Sequence, residues 1–247
     1  MKRILIGLFC APLFITGFCT LSHADSLTVV MKPEAAFTPK GFDSKDNVQI
    51  VLYGKYHDIC HKLAPAKITV DRVNYKIYIV DQAYTQSMCE MMFVTVPYTS
   101  VLNLGALPKG NYQVYATDDS GHTLLNSDLP VAAAKSPDAG DDYPYAKVDD
   151  AQVARTSDPS VLQLNLKGTL NNTCLSIKEV RVALTAGNVY DVLPIMNKAS
   201  ANCQESNTAF ETSALLPNFP SAPTLLNIRT LGGQSIEKVV DFGSLVQ

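Results

Sequence analysis

The chain has no tryptophan, only four histidines in 247 residues, and a charged fraction of 17%. Without tryptophan it lacks the buried indole that marks antibody-type immunoglobulin domains. Beyond residue 24 no apolar run approaches the roughly 18 residues a spanning helix needs, so no integral membrane segment is expected there. A G-x-S-x-G elbow, H-E-x-x-H, a Walker loop and a dinucleotide fingerprint are all missing, and with them the reactions they support. Of the histidines beyond residue 24, His122 ends Asp118-Asp119-Ser120-Gly121-His122, a composition a hairpin turn requires anyway. No enzymatic activity and no cofactor are therefore expected. Nor is there an excess of positive charge: the formal net charge is −3, which argues against nucleic acid or anionic lipid as a partner.

What is present begins with Lys2 and Arg3, an apolar stretch from Ile4 to Phe18, and Ser22-His23-Ala24 before Asp25. A basic head, a short apolar core and a small-x-small end describe a secretory signal peptide over residues 1–24. Its compactness has a bacterial look, so a periplasmic or secreted destination is expected. Loss of Lys2 and Arg3 would move the net charge from −3 to −5.

Cys10 and Cys19 fall within that leader, which leaves Cys60, Cys89, Cys174 and Cys203. An even count in an oxidising compartment reads as disulfides. Cys60 and Cys89 are 29 positions apart, and so are Cys174 and Cys203. Sliding the chain by 114 positions lays VQIVLYGKYHDIC (Val48 to Cys60) on LQLNLKGTLNNTC (Leu162 to Cys174) without a gap, matching Gln49, Leu52, Gly54 and Cys60 to Gln163, Leu166, Gly168 and Cys174. The sequence thus reads as a tandem duplication with one disulfide per copy. Closing a loop of this length removes denatured-state entropy worth about 3.5 kcal/mol in the chain-entropy model.

Within each copy the pattern is that of strands. Val48, Ile50 and Leu52 alternate, and Ile68–Val70, Tyr75–Val80, Met92–Val96 and Tyr112–Ala116 follow at short intervals, separated by turn signals such as Leu107-Pro-Lys-Gly110 and Asp118-Asp-Ser-Gly121. The expected fold is all-β: two tandem immunoglobulin-like antiparallel β-sandwich domains, over residues 25–134 and 159–247. Residues 135–158, rich in Asp, Ala and Pro, are expected to form the linker region, with the first strand of the second domain beginning near Ala146. Asp138, Asp141, Asp142, Asp149 and Asp150 there read as a solvated acidic stretch rather than a calcium loop.

The order Cys60, hairpin, Cys89, Val96-Pro97-Tyr98, then Leu104-Gly-Ala-Leu-Pro-Lys-Gly-Asn-Tyr-Gln-Val114 resembles a cysteine-paired immunoglobulin-like module of uncharacterised secreted bacterial proteins. The resemblance covers residues 48–116. It implies a fold and is silent on activity. The second copy departs from it, with Phe210-Glu211 for Pro97-Tyr98.

YHDICH, Tyr56 to His61, concentrates chemistry in six residues. A thiolate-imidazole pair would need Cys60 free, yet its repeat partner Cys174 keeps the cysteine without any histidine. Cys60 therefore reads as structural. A Cys60–Cys89 bridge would draw His57 and His61 toward Met88 and Met92, whose thioether and imidazole groups suit copper. Two functions follow. The favoured one is a non-catalytic envelope protein that binds or spaces macromolecules, with another envelope protein as partner; the alternative is periplasmic copper handling through the His57, His61, Met88 and Met92 cluster. Tyrosines 53, 56, 75, 78, 84, 98, 112 and 115 crowd the first copy, and they divide between core and a contact face.

Overall fold

The computed structural model describes residues 26–86, 94–134, 145–158, 161–185, 187–198 and 202–241, and every regular element among them is a strand. The first half carries β1 (Ser26–Val30), β2 (Ala35–Phe37), β3 (Phe42–Asp43), β4 (Val48–Tyr56), β5 (His61–Asp71), β6 (Lys76–Gln86), β7 (Val96–Gly105), β8 (Gly110–Thr117) and β9 (Thr123–Ala132). The second carries β10 (Lys147–Arg155), β11 (Val161–Asn172), β12 (Leu175–Thr185), β13 (Val189–Lys198), β14 (Glu205–Pro217), β15 (Thr224–Thr230) and β16 (Gln234–Val240).

In the first half one sheet runs β1-β6-β8-β9-β3, with β5 along the other edge of β6, and the second sheet is β2-β4-β7. In the second half the sheets are β12-β13-β15-β16 and β10-β11-β14. Pairings recur between the halves: β4 with β7 and β11 with β14, β5 with β6 and β12 with β13, β6 with β8 and β13 with β15. The pairs β6·β8 and β13·β15 are parallel, as is β3·β9, so the sheets are antiparallel-rich rather than purely antiparallel. The reason is topological: between β6 and β8 the chain crosses to the other sheet to make β7, then returns in its former direction.

Alternation decides what each strand buries. In the first half Val48, Ile50 and Leu52 of β4 meet Ile77, Ile79, Tyr112 and Val114 between the two sheets. In the second half Leu162, Leu164 and Leu166 of β11 meet Tyr190, Val192, Leu226 and Ile228. Each half is thus a β-sandwich around its own apolar core. The Leu-Pro-x-Gly-x-Tyr run acquires a mechanism here: Leu107 and Tyr112 are buried, and the Tyr112 hydroxyl donates to the Pro108 carbonyl at 3.1 Å. The arrangement is similar to the tyrosine corner known from β-sandwiches. In the second half Leu226 stands at the corresponding position, and Tyr190 instead donates to the Pro217 carbonyl at 2.6 Å.

Strand β10 begins at Lys147, next to Ala146 where the first strand of the second half is expected, and so shares the stretch 135–158; its Val148 and Ala151 point into the second core and anchor it. The strand expected over Met92–Val96 begins at Val96, and Met88, Cys89 and Met92 lie outside the described residues. Asp118 acts as a turn former: its Oδ1 accepts from the Ser120 N–H, the Ser120 hydroxyl and the His122 N–H, while the His122 side chain stands in solvent. Among the described residues no helix is long and apolar enough to cross a membrane.

The two matched glycines have a shared purpose. Gly54 pairs across the ladder with Tyr98, and Gly168 with Phe210, so in each half an aromatic ring lies over a glycine on the neighbouring strand. A Cβ at Gly54 would come within 2.6 Å of the Tyr98 ring. At Gly168 it would collide with the Lys147 backbone carbonyl as well as the Phe210 ring. Because backbone yields less than a ring, Gly168→Ala is expected to cost more than Gly54→Ala, with losses of about 1–3 kcal/mol each. Urea denaturation of the two variants measures the difference.

Candidate functional site

The YHDICH corner joins the end of β4 to the start of β5. Asp58 Oδ1 accepts the Cys60 backbone N–H at 2.8 Å and lies 2.7 Å from His61 Nδ1. A carboxylate only accepts, so the imidazole proton sits on Nδ1 and Nε2 keeps its lone pair when the ring is neutral. The contact with His61, more than the Cys60 N–H, holds Asp58 below the usual carboxylate range. The second half repeats half of this arrangement, with Asn172 Oδ1 accepting the Cys174 N–H at 3.0 Å. Capping the cysteine is therefore common to both, and the imidazole is the addition.

His61 is half-buried, because its ring stacks on Tyr56 at 5.6 Å between centroids. Tyr56 in turn stacks on Tyr98 at 4.5 Å, and the Tyr98 hydroxyl donates to Asp81 at 2.8 Å. Asp81 is 1% exposed, and burial raises its carboxyl despite that hydrogen bond. Burial likewise pushes both Tyr56 and Tyr98 up, with Asp81 adding to the effect, so neither hydroxyl ionises near neutral pH. Cys60 is disulfide-bonded and does not titrate, so it supplies no thiolate here. Cys174 and Cys203 form the second half's bridge, with Cα atoms 5.4 Å apart.

As a copper site the corner offers His57, exposed, and His61 through Nε2. Met88 and Met92 lie outside the described residues. Among the described residues no group of three His, Cys, Asp or Glu side chains is placed to hold a metal.

A second polar constellation lies where the halves meet. Strand β4 is buried on both faces: Val51 and Tyr53, which point away from the first core, join Phe37 of β2, Val189 of β13 and Leu225 of β15 in a cluster of their own. The sheet β2-β4-β7 is thus backed by the sheet β12-β13-β15-β16. Above this apolar patch Arg229 of β15 reaches Asp46 of the first half at 3.2 Å, with side chains only 5% and 9% exposed, and its guanidinium lies 5.2 Å from the centre of the Phe42 ring. The Asp46 carboxylate also accepts the Asp43 N–H at 2.8 Å. Burial still leaves Asp46 above the ordinary carboxylate range, against the pull of the Asp43 N–H and Arg229. Further along, Ser235 donates to Gln49 across the seam, and the Asn227 amide donates to Asp191 at 2.8 Å. At the mouth of the seam a cleft of about 660 Å³ is lined by Phe42, Asp43, Asp46, Tyr145, Asp191 and Arg229.

No family model, curated protein or solved structure matches this chain.

Asp46, Asp191, Asn227 and Arg229 are not singled out by the sequence patterns, although a signal exists for the last two. Sliding by 114 positions sets Asn227 and Arg229 against Gln113 and Tyr115, which lie on the outward face of the first half's larger sheet. Arg229 on a strand whose seven residues are all buried marks a face that must be covered.

Removing one partner of a buried pair strands the other charge. Arg229→Met is therefore expected to cost about 3–5 kcal/mol. Adding Asp46→Asn to it should recover much of that loss. Denaturant titration of the single and double variants measures both.

Proposed function

We propose that this chain is a non-catalytic exported protein of the bacterial envelope, in which paired sandwiches present a surface to another envelope macromolecule. The observation that carries this reading is the division of the first half's sheets. The outer face of β2-β4-β7 is covered by the second half, whereas the outer face of the larger sheet is open and holds much of the exposed aromatic surface among the described residues. Tyr78 of β6 and Tyr115 of β8 pair across the ladder and stack at 5.3 Å, and Tyr78 and Tyr84 are each 38% exposed. The same face carries Thr69, which pairs with Tyr78, and Lys62, which pairs with Tyr84. Amphipathic rings among lysine, threonine and asparagine suit a protein surface better than a lipid one. Four of the eight tyrosines, Tyr53, Tyr56, Tyr98 and Tyr112, serve the interior, and Tyr75 packs edge-on against Tyr112, so the contact face rests on Tyr78, Tyr84 and Tyr115.

The β5 edge of this sheet is guarded rather than offered. Edge strand β5 carries Lys62, Pro65 and Lys67, with a register shift between Ala64 and Lys67, and such features discourage strand addition. Recognition therefore belongs to the side chains of the face. The disulfide Cys174–Cys203 fits an oxidising compartment, and the resemblance to secreted immunoglobulin-like modules is consistent with it.

The copper reading has one observation in its favour: Asp58 fixes the His61 tautomer that leaves Nε2 available, the arrangement common in metal-binding histidines. Titration with Cu(I) and Cu(II) separates the two functions. Under the favoured reading His57→Ala/His61→Ala takes up as little metal as the parent; stoichiometric uptake lost in the variant would support the alternative.

The favoured reading is tested by placing a photo-crosslinking residue at Tyr78, and for comparison at Ser213 on the second half, in the exporting cell. A discrete adduct from Tyr78 alone, lost with Tyr115→Ser, is the expected result. Equal adducts from both positions, or none from either, would contradict it.

A further inference from the structure

The deeper part of the seam contains more acceptors than donors. Asp191 of β13, Asn227 of β15 and Glu237 of β16 are successive ladder neighbours in one row of the sheet, and on adjacent strands such side chains lie side by side. The Asn227 amide N–H₂ is directed at Asp191, which turns its carbonyl oxygen toward Glu237. That oxygen is buried without a donor, and both carboxylate oxygens of Glu237 are buried without one as well. Ser235 lies beside Glu237 but commits its single hydroxyl proton to Gln49 across the seam. Two acceptor groups facing each other with no proton between them cannot both be satisfied in an apolar seam.

We propose that Glu237 is held as the neutral acid, donating its own proton within the seam to Asn227 Oδ1, and that its ionisation is a switch that loosens the contact between the two sandwiches. Turning the Asn227 amide over would exchange which carboxyl must carry the proton, not the need for one. Asp191 is the worse candidate for the acid, since it has the amide N–H of Asn227 together with the charges of Arg229 and Lys40.

The electrostatics of the surroundings agree. The charged groups around Glu237 are Asp191 from β13 and Arg229 from β15. Arg229 is already engaged by Asp46 from the first half. Lys55 and Asp241 lie further along the seam, near Tyr53. Three carboxyls thus share one buried guanidinium. Burial, supported by Asp191 and opposed by Ser235 and Arg229, raises Glu237 to about 7. A carboxyl raised in the folded state favours folding fully below its unfolded value near 4.5, and that contribution is lost as the pH rises through about 7. Ionisation inserts a further negative charge beside Asp191 and removes the proton that joins β16 to β15. The element biased is the packing of β15 and β16 against β4.

The test is the folding equilibrium of the mature chain between about pH 5 and pH 8 for the parent, Glu237→Gln and Asp191→Asn. Glutamine keeps the shape of the neutral acid and a donor for Asn227. Between the two pH values the parent is expected to lose on the order of 100-fold more folding equilibrium constant than Glu237→Gln. Backbone hydrogen exchange, corrected for its intrinsic pH dependence, should accelerate at Val51, Tyr53 and Val239 in the parent and not in Glu237→Gln. Identical pH dependence in parent and Glu237→Gln overturns the proposal. So does a loss of the dependence in Asp191→Asn with its retention in Glu237→Gln, which would place the proton on Asp191.

Discussion

The constraint on which the rest of the molecule depends is the double burial of β4. Val48, Ile50 and Leu52 on one side and Val51 and Tyr53 on the other leave no face for water. A strand of this kind must be sandwiched twice, once by its own partner sheet and once by the second half. The buried Arg229–Asp46 pair is set into that second contact. A pair of this kind adds less to stability than to definition: it fits only one placement of β15 over the Asp43–Asp46 turn, and misplacement leaves a desolvated charge. The apolar patch supplies the attraction and the polar groups fix how it is made.

This arrangement also decides which surfaces remain for recognition. Had the halves joined through a linker alone, both sheets of the first sandwich would be open on their outer sides. Covering β2-β4-β7 leaves the larger sheet as the free face, with the Tyr78 and Tyr115 stack at its centre. At the far end, the Asp58–His61–Tyr56–Tyr98–Asp81 succession ties the disulfide corner into the interior. In the second half Leu170 and Phe210 lie in the equivalent region among apolar side chains. The halves thus share a framework and differ in what is built on it.

Much of that framework is legible in the residues. Alternation in VQIVLYGKY and LQLNLKGTL locates β4 and β11, and the Asp118–Gly121 run locates a hairpin turn, because both depend on neighbours close in sequence. The start of β10 is legible near Ala146, but its inward face is not: Asp149 and Asp150 mask the alternation of Val148 and Ala151, which only a known partner strand reveals. The role of Gly54 and Gly168 was visible as identity and not as cause, since the ring over each comes from a strand some forty positions later. YHDICH looked like one site because its residues are adjacent. Asn172 at the position of Asp58 separates the carboxylate, a turn cap, from the imidazole, which is peculiar to the first half. Arg229 marks a face that must be covered, but what covers it was illegible: Asp46 and Arg229 lie 183 positions apart, and no local pattern encodes a contact of that range.

The fixed seam is tested most directly by the distribution of distances between spin labels at Thr69 on β5 and Ser213 on β14, both exposed and on opposite halves, measured by pulsed electron resonance in mildly acid buffer. One narrow distribution is expected, broadened when Arg229 is replaced by methionine. A broad distribution in the unsubstituted chain, unchanged by that replacement, would mean that the sandwiches are joined only by their connecting residues.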